Sequence, residues 1–169
     1  SSEIKEVLEK SKTKVRSIYY KYRGPESGNN FYEFYEVGDK VKYVPPREIQ
    51  SLNEKDSFDT IFIDKDAMTA ESYCVAAYCK FKGKKDDLNY EIAYISTILD
   101  WRNGILSAKK VGEEVIDDQA TWKIETNNGV YWLNAFYGIP LKIESGGNSY
   151  RFQHISVNSV DEIDASPPS

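Results

Sequence analysis

The chain has 169 residues, 40% of them hydrophobic and 14% aromatic, and a formal net charge of −5. That length suits one domain, 1–169, able to bury roughly two thirds of its unfolded surface, so no metal or dense disulfide framework is needed for folding. The acidic balance argues against a general nucleic-acid binder, and no run of about 18 apolar residues is present to form a transmembrane helix.

The charge is uneven. Residues 1–50 carry ten basic and eight acidic side chains, and the remainder twelve and nineteen. A solvated helix face is the ordinary meaning of such a start, and proximity to an anionic membrane surface the sharper one. The opening Ser1-Ser2-Glu3, without Met, suggests a trimmed form whose leader or lipid-anchored segment has been removed.

In chain order, residues 1–14 read as a helix. Ile4, Val7 and Leu8 share a stripe, with Glu3 and Glu6 early and Lys10, Lys12 and Lys14 late, as the helix dipole prefers. Residues 15–23 then read as a Tyr-rich strand, followed by the turn cluster Gly24-Pro25-Glu26-Ser27-Gly28. Strands follow at 31–37 and 40–44, joined at Gly38-Asp39 and stopped by Pro45-Pro46.

A short strand is expected at 58–64 and another at 71–81, with a polar link over 82–87. Leu88, Ile92, Ile95 and Leu99 recur at helical spacing and predict one amphipathic helix over 86–102. From 106 to 158 the pattern is a continuous meander, with strands at about 106–116, 119–126, 129–136, 139–145 and 149–158. Ala120, Trp122 and Ile124 alternate with Thr121, Lys123 and Glu125, so one face is apolar and the other wet. The tail Ser166-Pro167-Pro168-Ser169 is expected to fray.

Chemistry-bearing residues are few. A nucleophile needs a base and an orienting group within reach, and His154 is the sole histidine, set in an alternating strand. The couples Glu113-Glu114 and Asp117-Asp118 point to opposite faces of a strand and make no paired site. Asp64 and Asp66 resemble a fragment of a calcium loop without its glycine and distal glutamate. Cys74 and Cys79 are too few ligands for zinc and lack redox C-x-x-C spacing. A disulfide closing the small loop between them is the economical reading, and two buried thiols the alternative. These residues predict a non-enzyme with no cofactor or metal, working outside the cytoplasm.

The apolar face is the remaining material. A curved sheet fills its concave side with core side chains or leaves a cavity under partial helical cover. The run Val111-Gly112-Glu113-Glu114-Val115-Ile116-Asp117-Asp118-Gln119-Ala120-Thr121-Trp122-Lys123-Ile124 resembles the strand pair of LolA-type lipoprotein carriers and their LppX-like relatives. Val130-Tyr131-Trp132-Leu133-Asn134 and Tyr137-Gly138-Ile139-Pro140-Leu141-Lys142 resemble that superfamily's following hairpin, and Phe152 through Asn158 its closing strand. The likeness covers about 60 residues well and the rest by element order. Asp118 stands where the family has a turn glycine. The Cys74/Cys79 pair lies outside the general pattern and suggests a divergent branch, such as an archaeal one.

The resemblance implies a mostly antiparallel β (α+β) fold, an unclosed, strongly curved half-barrel with an N-terminal helix and a helical lid on its concave face. It implies binding or carriage of lipid, or of the acyl chain of a lipoprotein, at the cell envelope. It makes the 86–102 helix a lid, with Ile92, Ile95, Leu99 and Trp101 facing a pocket walled by Trp122, Ile124, Trp132, Leu141, Ile143 and Phe152. The alternative is an envelope sensor or protein-interaction module on the same fold, with a filled core and a partner at a strand edge or the Tyr-rich face.

Overall fold

The computed structural model describes residues 2–169; Ser1, part of the expected 1–14 helix, lies outside them. Helix α1 spans Ser2–Lys14. The first six strands are β1 (Ser17–Arg23), β2 (Tyr32–Val37), β3 (Lys40–Val44), β4 (Thr60–Asp64), β5 (Thr69–Cys74) and β6 (Gly83–Leu88). Two short helices follow, α2 (Tyr90–Ala93) and α3 (Ile98–Asn103). The C-terminal meander is β7 (Ala108–Ile116), β8 (Gln119–Thr126), β9 (Gly129–Asn134), β10 (Ile139–Ser145) and β11 (Asn148–Val157).

All eleven strands form one antiparallel sheet in the order β6-β5-β4-β3-β2-β1-β11-β10-β9-β8-β7. Two meanders meet where β1 pairs with β11, and the sheet stays unclosed, an open half-barrel with β6 and β7 at its edges. Those edges are consecutive in the chain, so residues 89–107 must travel from one to the other. They do so over one face, and that route places α2 and α3 there. The covered face is apolar by strand alternation: Ile18, Tyr20 and Tyr22 of β1, Phe34 of β2, Tyr43 of β3, Tyr131 of β9 and Phe152 of β11 join one core with Ile98 and Leu99.

The predicted continuous helix over 86–102 is not formed. Residues 86–88 belong to β6, which pairs with β5 over the segment expected to be a polar link, and β5 ends at Cys74 rather than near 81. Two capping residues divide the rest. The Asn89 side chain accepts from Ile92 N–H and starts α2, while Thr97 and Asp100 form a reciprocal capping box that starts α3. Side chains that satisfy helix-start N–H groups at 89 and 97 outcompete one long helix.

The 117–118 turn forms without glycine. Asp117 and Asp118 both adopt positive φ, 51° and 63°, and the Asp117 carboxylate accepts from Arg151 at 3.1 Å. His154, at φ 52°, sits exposed in β11 where the register with β1 shifts. Cys74 and Cys79 are joined in a disulfide.

Candidate functional site

The centre of the covered face is closed by the protein's own aromatics. Tyr20 stacks on Phe34 at 5.2 Å, Phe34 on Tyr43 at 5.2 Å, and Phe152 meets Tyr20 edge-on at 5.5 Å. Ile124, Ile143 and Phe152, expected to wall a pocket, are fully buried members of this core. Leu141 is buried at the bulge between Pro140 and Lys142. Leu99 and Trp101 come from α3 and pack on the core, as Ile95 does from the link before it. The Tyr131 hydroxyl donates to the Trp101 carbonyl at 3.0 Å and pins α3 to the sheet.

Trp132 lies on the other face, a correction to its expected place in the pocket. It pairs in register with Lys123 and Lys142, whose ammonium groups stand 5.3 and 4.6 Å from its ring centre. Its indole N–H donates to Glu114, and the two lysine stems leave it only 4% exposed. The bulge at 140–142 and the broad burial of both neighbours hide this phase from a hydropathy reading. Trp122 keeps the inward phase, opposite Leu133, but lies near the β7 edge in a separate cleft of about 300 Å³ with Glu113 and Glu114.

Beside the aromatic core the covered face opens. A groove of about 390 Å³ runs between the sheet and α2. Tyr32, Tyr43, Pro45 and Ile61 form its floor, Ile49 and Phe58, which pair as an isolated bridge, one wall, and Leu88, Asn89, Ile92 and Ala93 the other. Its size falls within the roughly 300–1,000 Å³ of small-molecule sites. Ionised side chains are absent from its lining, and the Tyr43 hydroxyl is satisfied by the Ala93 carbonyl at 2.7 Å. Ile92 is 85% exposed at the lip. Of the expected pocket residues, only Ile92 lines this groove. The signal missed in the sequence is the alternation in β2 to β4, which sets Tyr32, Tyr43 and Ile61 on the inner face.

A larger cleft, about 600 Å³, lies between α1 and residues 102–108, but Lys5, Glu9, Lys12 and Arg102 share its lining with Ile4, Leu8 and Leu106. Charged walls demand solvation or paired ligand charges, and the 390 Å³ groove demands neither.

A buried polar cluster anchors the start of α3 nearby. Glu36, 1% exposed on β2, accepts from Lys65 Nζ at 2.5 Å and from Thr97 Oγ1 at 3.0 Å. Lys65 also reaches Asp100 at 2.9 Å, and Asp100 accepts from the Thr97 N–H and the Tyr94 hydroxyl. Burial pushes the Glu36 carboxyl above its ordinary range, and Lys65 offsets only part of that. Burial acts on Asp100 in the same direction, but its donors, with Tyr94 the strongest, hold it below its ordinary value. The Ile98 N–H donates to the Tyr20 hydroxyl at 3.0 Å. The link through 94–97 is thus fixed by polar contacts, while α2 has no buried residue of its own.

No protein-family model and no curated protein matches the chain. Among solved structures it is similar to the lipoprotein LppX of Mycobacterium tuberculosis, with a TM-score of 0.51 over 96% of this chain and 97% of that one, at 15% sequence identity. The shared property is the fold, a mostly antiparallel, unclosed half-barrel.

Proposed function

We infer that the protein is a non-catalytic binder of lipid or acylated molecules, taking hydrocarbon into the groove between α2 and the inner face of β3 and β4. The observation that carries this reading is the groove itself, an open cleft lined by apolar side chains and free of ionised ones. Transfer of alkyl chain from water to such a surface releases about 0.8 kcal/mol per CH₂ buried. The likeness of fold to a lipoprotein, and the resemblance of the C-terminal strands to those of the lipoprotein carriers, support this reading. The disulfide supports work in an oxidising compartment at the cell envelope.

The guest lies along the rim rather than in the deep centre of the half-barrel, because the Tyr20, Phe34 and Phe152 rings occupy that centre. The test is mass spectrometry of lipid co-purifying with the protein, paired with titration of a fluorescent fatty acid. Bound lipid and saturable fluorescence are expected. Lipid-free protein that leaves the probe dark would remove the carrier reading and favour a protein-interaction module with a filled core.

A further inference from the structure

Residues 75–85, Val75-Ala76-Ala77-Tyr78-Cys79-Lys80-Phe81-Lys82-Gly83-Lys84-Lys85, carry four lysines and no acidic side chain in a chain of net charge −5. The same stretch exposes apolar side chains, with Tyr78 61% and Phe81 42% exposed. Neither belongs to the core: the Tyr78 hydroxyl interacts with the Asp59 carboxylate, and the Phe81 ring lies beside Lys55.

The first part of the stretch, residues 75–79, is tied to the body of the protein. The disulfide closes it, the Cys79 N–H bonds the Ala76 carbonyl at 3.0 Å, and the buried Asp59 carboxylate accepts from the N–H groups of Val75 and Ala76, each at 3.0 Å. Lys55 stands 5.6 Å from the centre of the Phe81 ring and adds a further cation. Acidic partners sit on the flanks: Glu54 near Lys80, and Glu71 and Asp87 near Lys84. Exposed pairs of this kind exchange readily with solvent and other anions.

The position matters as much as the composition. Tyr78 and Phe81 share a shallow recess with Glu48 and Ser57, and the next residues along, Ile49 and Phe58, form the bridge that walls the apolar groove. The lysine-aromatic tip therefore stands directly across one two-residue ladder from the groove.

We propose that residues 75–85 dock the protein on an anionic bilayer surface, with Tyr78 and Phe81 entering the headgroup layer and Lys80 and Lys82 facing lipid phosphates. Aromatic rings with a polar edge favour that layer, and each lysine near an anionic leaflet strengthens binding about fivefold. A pre-ordered loop loses little conformational freedom on docking. Bound this way, the groove opens beside the membrane surface. The docking itself does not rest on the groove binding lipid, but its use does.

Co-sedimentation with vesicles tests it. Vesicles containing phosphatidylglycerol are expected to bind the protein, and vesicles of phosphatidylcholine alone to bind it at least tenfold more weakly, with the difference shrinking in 0.5 M salt, as screening requires. Lys80→Glu/Lys82→Glu, which alters solvated side chains only, and Tyr78→Ser/Phe81→Ser should each weaken anionic-vesicle binding more than tenfold. Both should bind the fluorescent fatty acid in vesicle-free solution as the parent does. Absence of binding to the anionic vesicles, equal binding to neutral ones, or parent-like binding by both variants overturns the proposal. A stoichiometric acidic protein partner without vesicle affinity overturns it as well. Vesicle binding with a dark probe would keep the docking and remove the groove reading, and the reverse result would do the opposite.

Discussion

The Tyr43 hydroxyl donates a 2.7 Å hydrogen bond to the Ala93 carbonyl, so the sheet itself holds the short helix that walls the groove. No α2 residue is fully buried, and only Tyr90 and Ala93 pack partly buried on the core, so this bond adds a polar anchor to a light apolar contact. Tyr43→Phe keeps the ring that stacks on Phe34 and removes only the donor. A cost of about 1 kcal/mol is expected, placed locally. Amide exchange over residues 90–94 should speed about fivefold while the central strands are unchanged, read by hydrogen-exchange mass spectrometry.

A second contact fixes the N-terminal helix. At Gly138, a Cβ would lie 2.7 Å from Ser11 Cβ and 3.0 Å from the Val7 carbonyl oxygen, and the residue sits at φ +67°. Gly138→Ala therefore meets both backbone strain and the body of α1. A loss of about 2–3 kcal/mol in chemical denaturation is expected. Gly146, at φ +58° with nothing within 4 Å of a Cβ, isolates the strain alone. Gly146→Ala should cost about 1 kcal/mol, and equal losses at the two positions would show that helix contact is unimportant.

Why these features divide as they do between legible and hidden follows from range. Strands β7 to β11 are legible because hairpin turns such as Asn127-Asn128-Gly129 and alternation such as Trp122-Lys123-Ile124 are local signals. The sequence suggests one helix over 86–102 because Leu88, Ile92, Ile95 and Leu99 keep helical spacing while serving a strand, a groove lip, a link and a helix. Only the caps at Asn89 and Thr97 betray the break. The outward place of Trp132 is hidden because a tryptophan under two lysine stems looks like core in composition. Glu36 carries no local signal because its partners, Lys65, Thr97 and Asp100, are brought to it by tertiary structure.

The difference between core and groove is testable by two substitutions. Ile92 is almost wholly exposed at the groove lip, so Ile92→Asp should change stability by less than about 0.5 kcal/mol. On the proposed reading it should weaken fatty-acid probe binding about tenfold, since an apolar side chain covering hydrocarbon contributes about 1.5–3 kcal/mol. Phe152→Ala empties a site among Tyr20 and Tyr22 and should cost about 3–5 kcal/mol. Its probe affinity should fall only with the folded fraction. Parent-like probe binding by Ile92→Asp would move the site elsewhere on the molecule.

Glu36 gives the molecule a pH signature. Its carboxyl is buried with Oε1 unpartnered, facing Lys65 from the β4–β5 turn, Thr97 and Asp100 around the start of α3, and the Tyr20 hydroxyl, with Arg102 adding positive potential. Burial raises its folded pKa above the ordinary 4.5, so the native state holds this proton where the unfolded chain has lost it. Stability from this group is therefore full below about pH 4.5 and declines as pH rises toward the raised value, by at most about 1.4 kcal/mol per pH unit. Asp100 works in the opposite sense: held below its ordinary 3.8, it contributes stability that is lost as pH falls through its lowered value. Glu36→Gln keeps the shape, removes the titration and leaves Lys65 paired with Asp100. The stability of the parent relative to Glu36→Gln should therefore fall as pH rises above 4.5, read from denaturant midpoints at several pH values. Parallel pH curves for the two proteins would show that Glu36 does not titrate differently in the folded state.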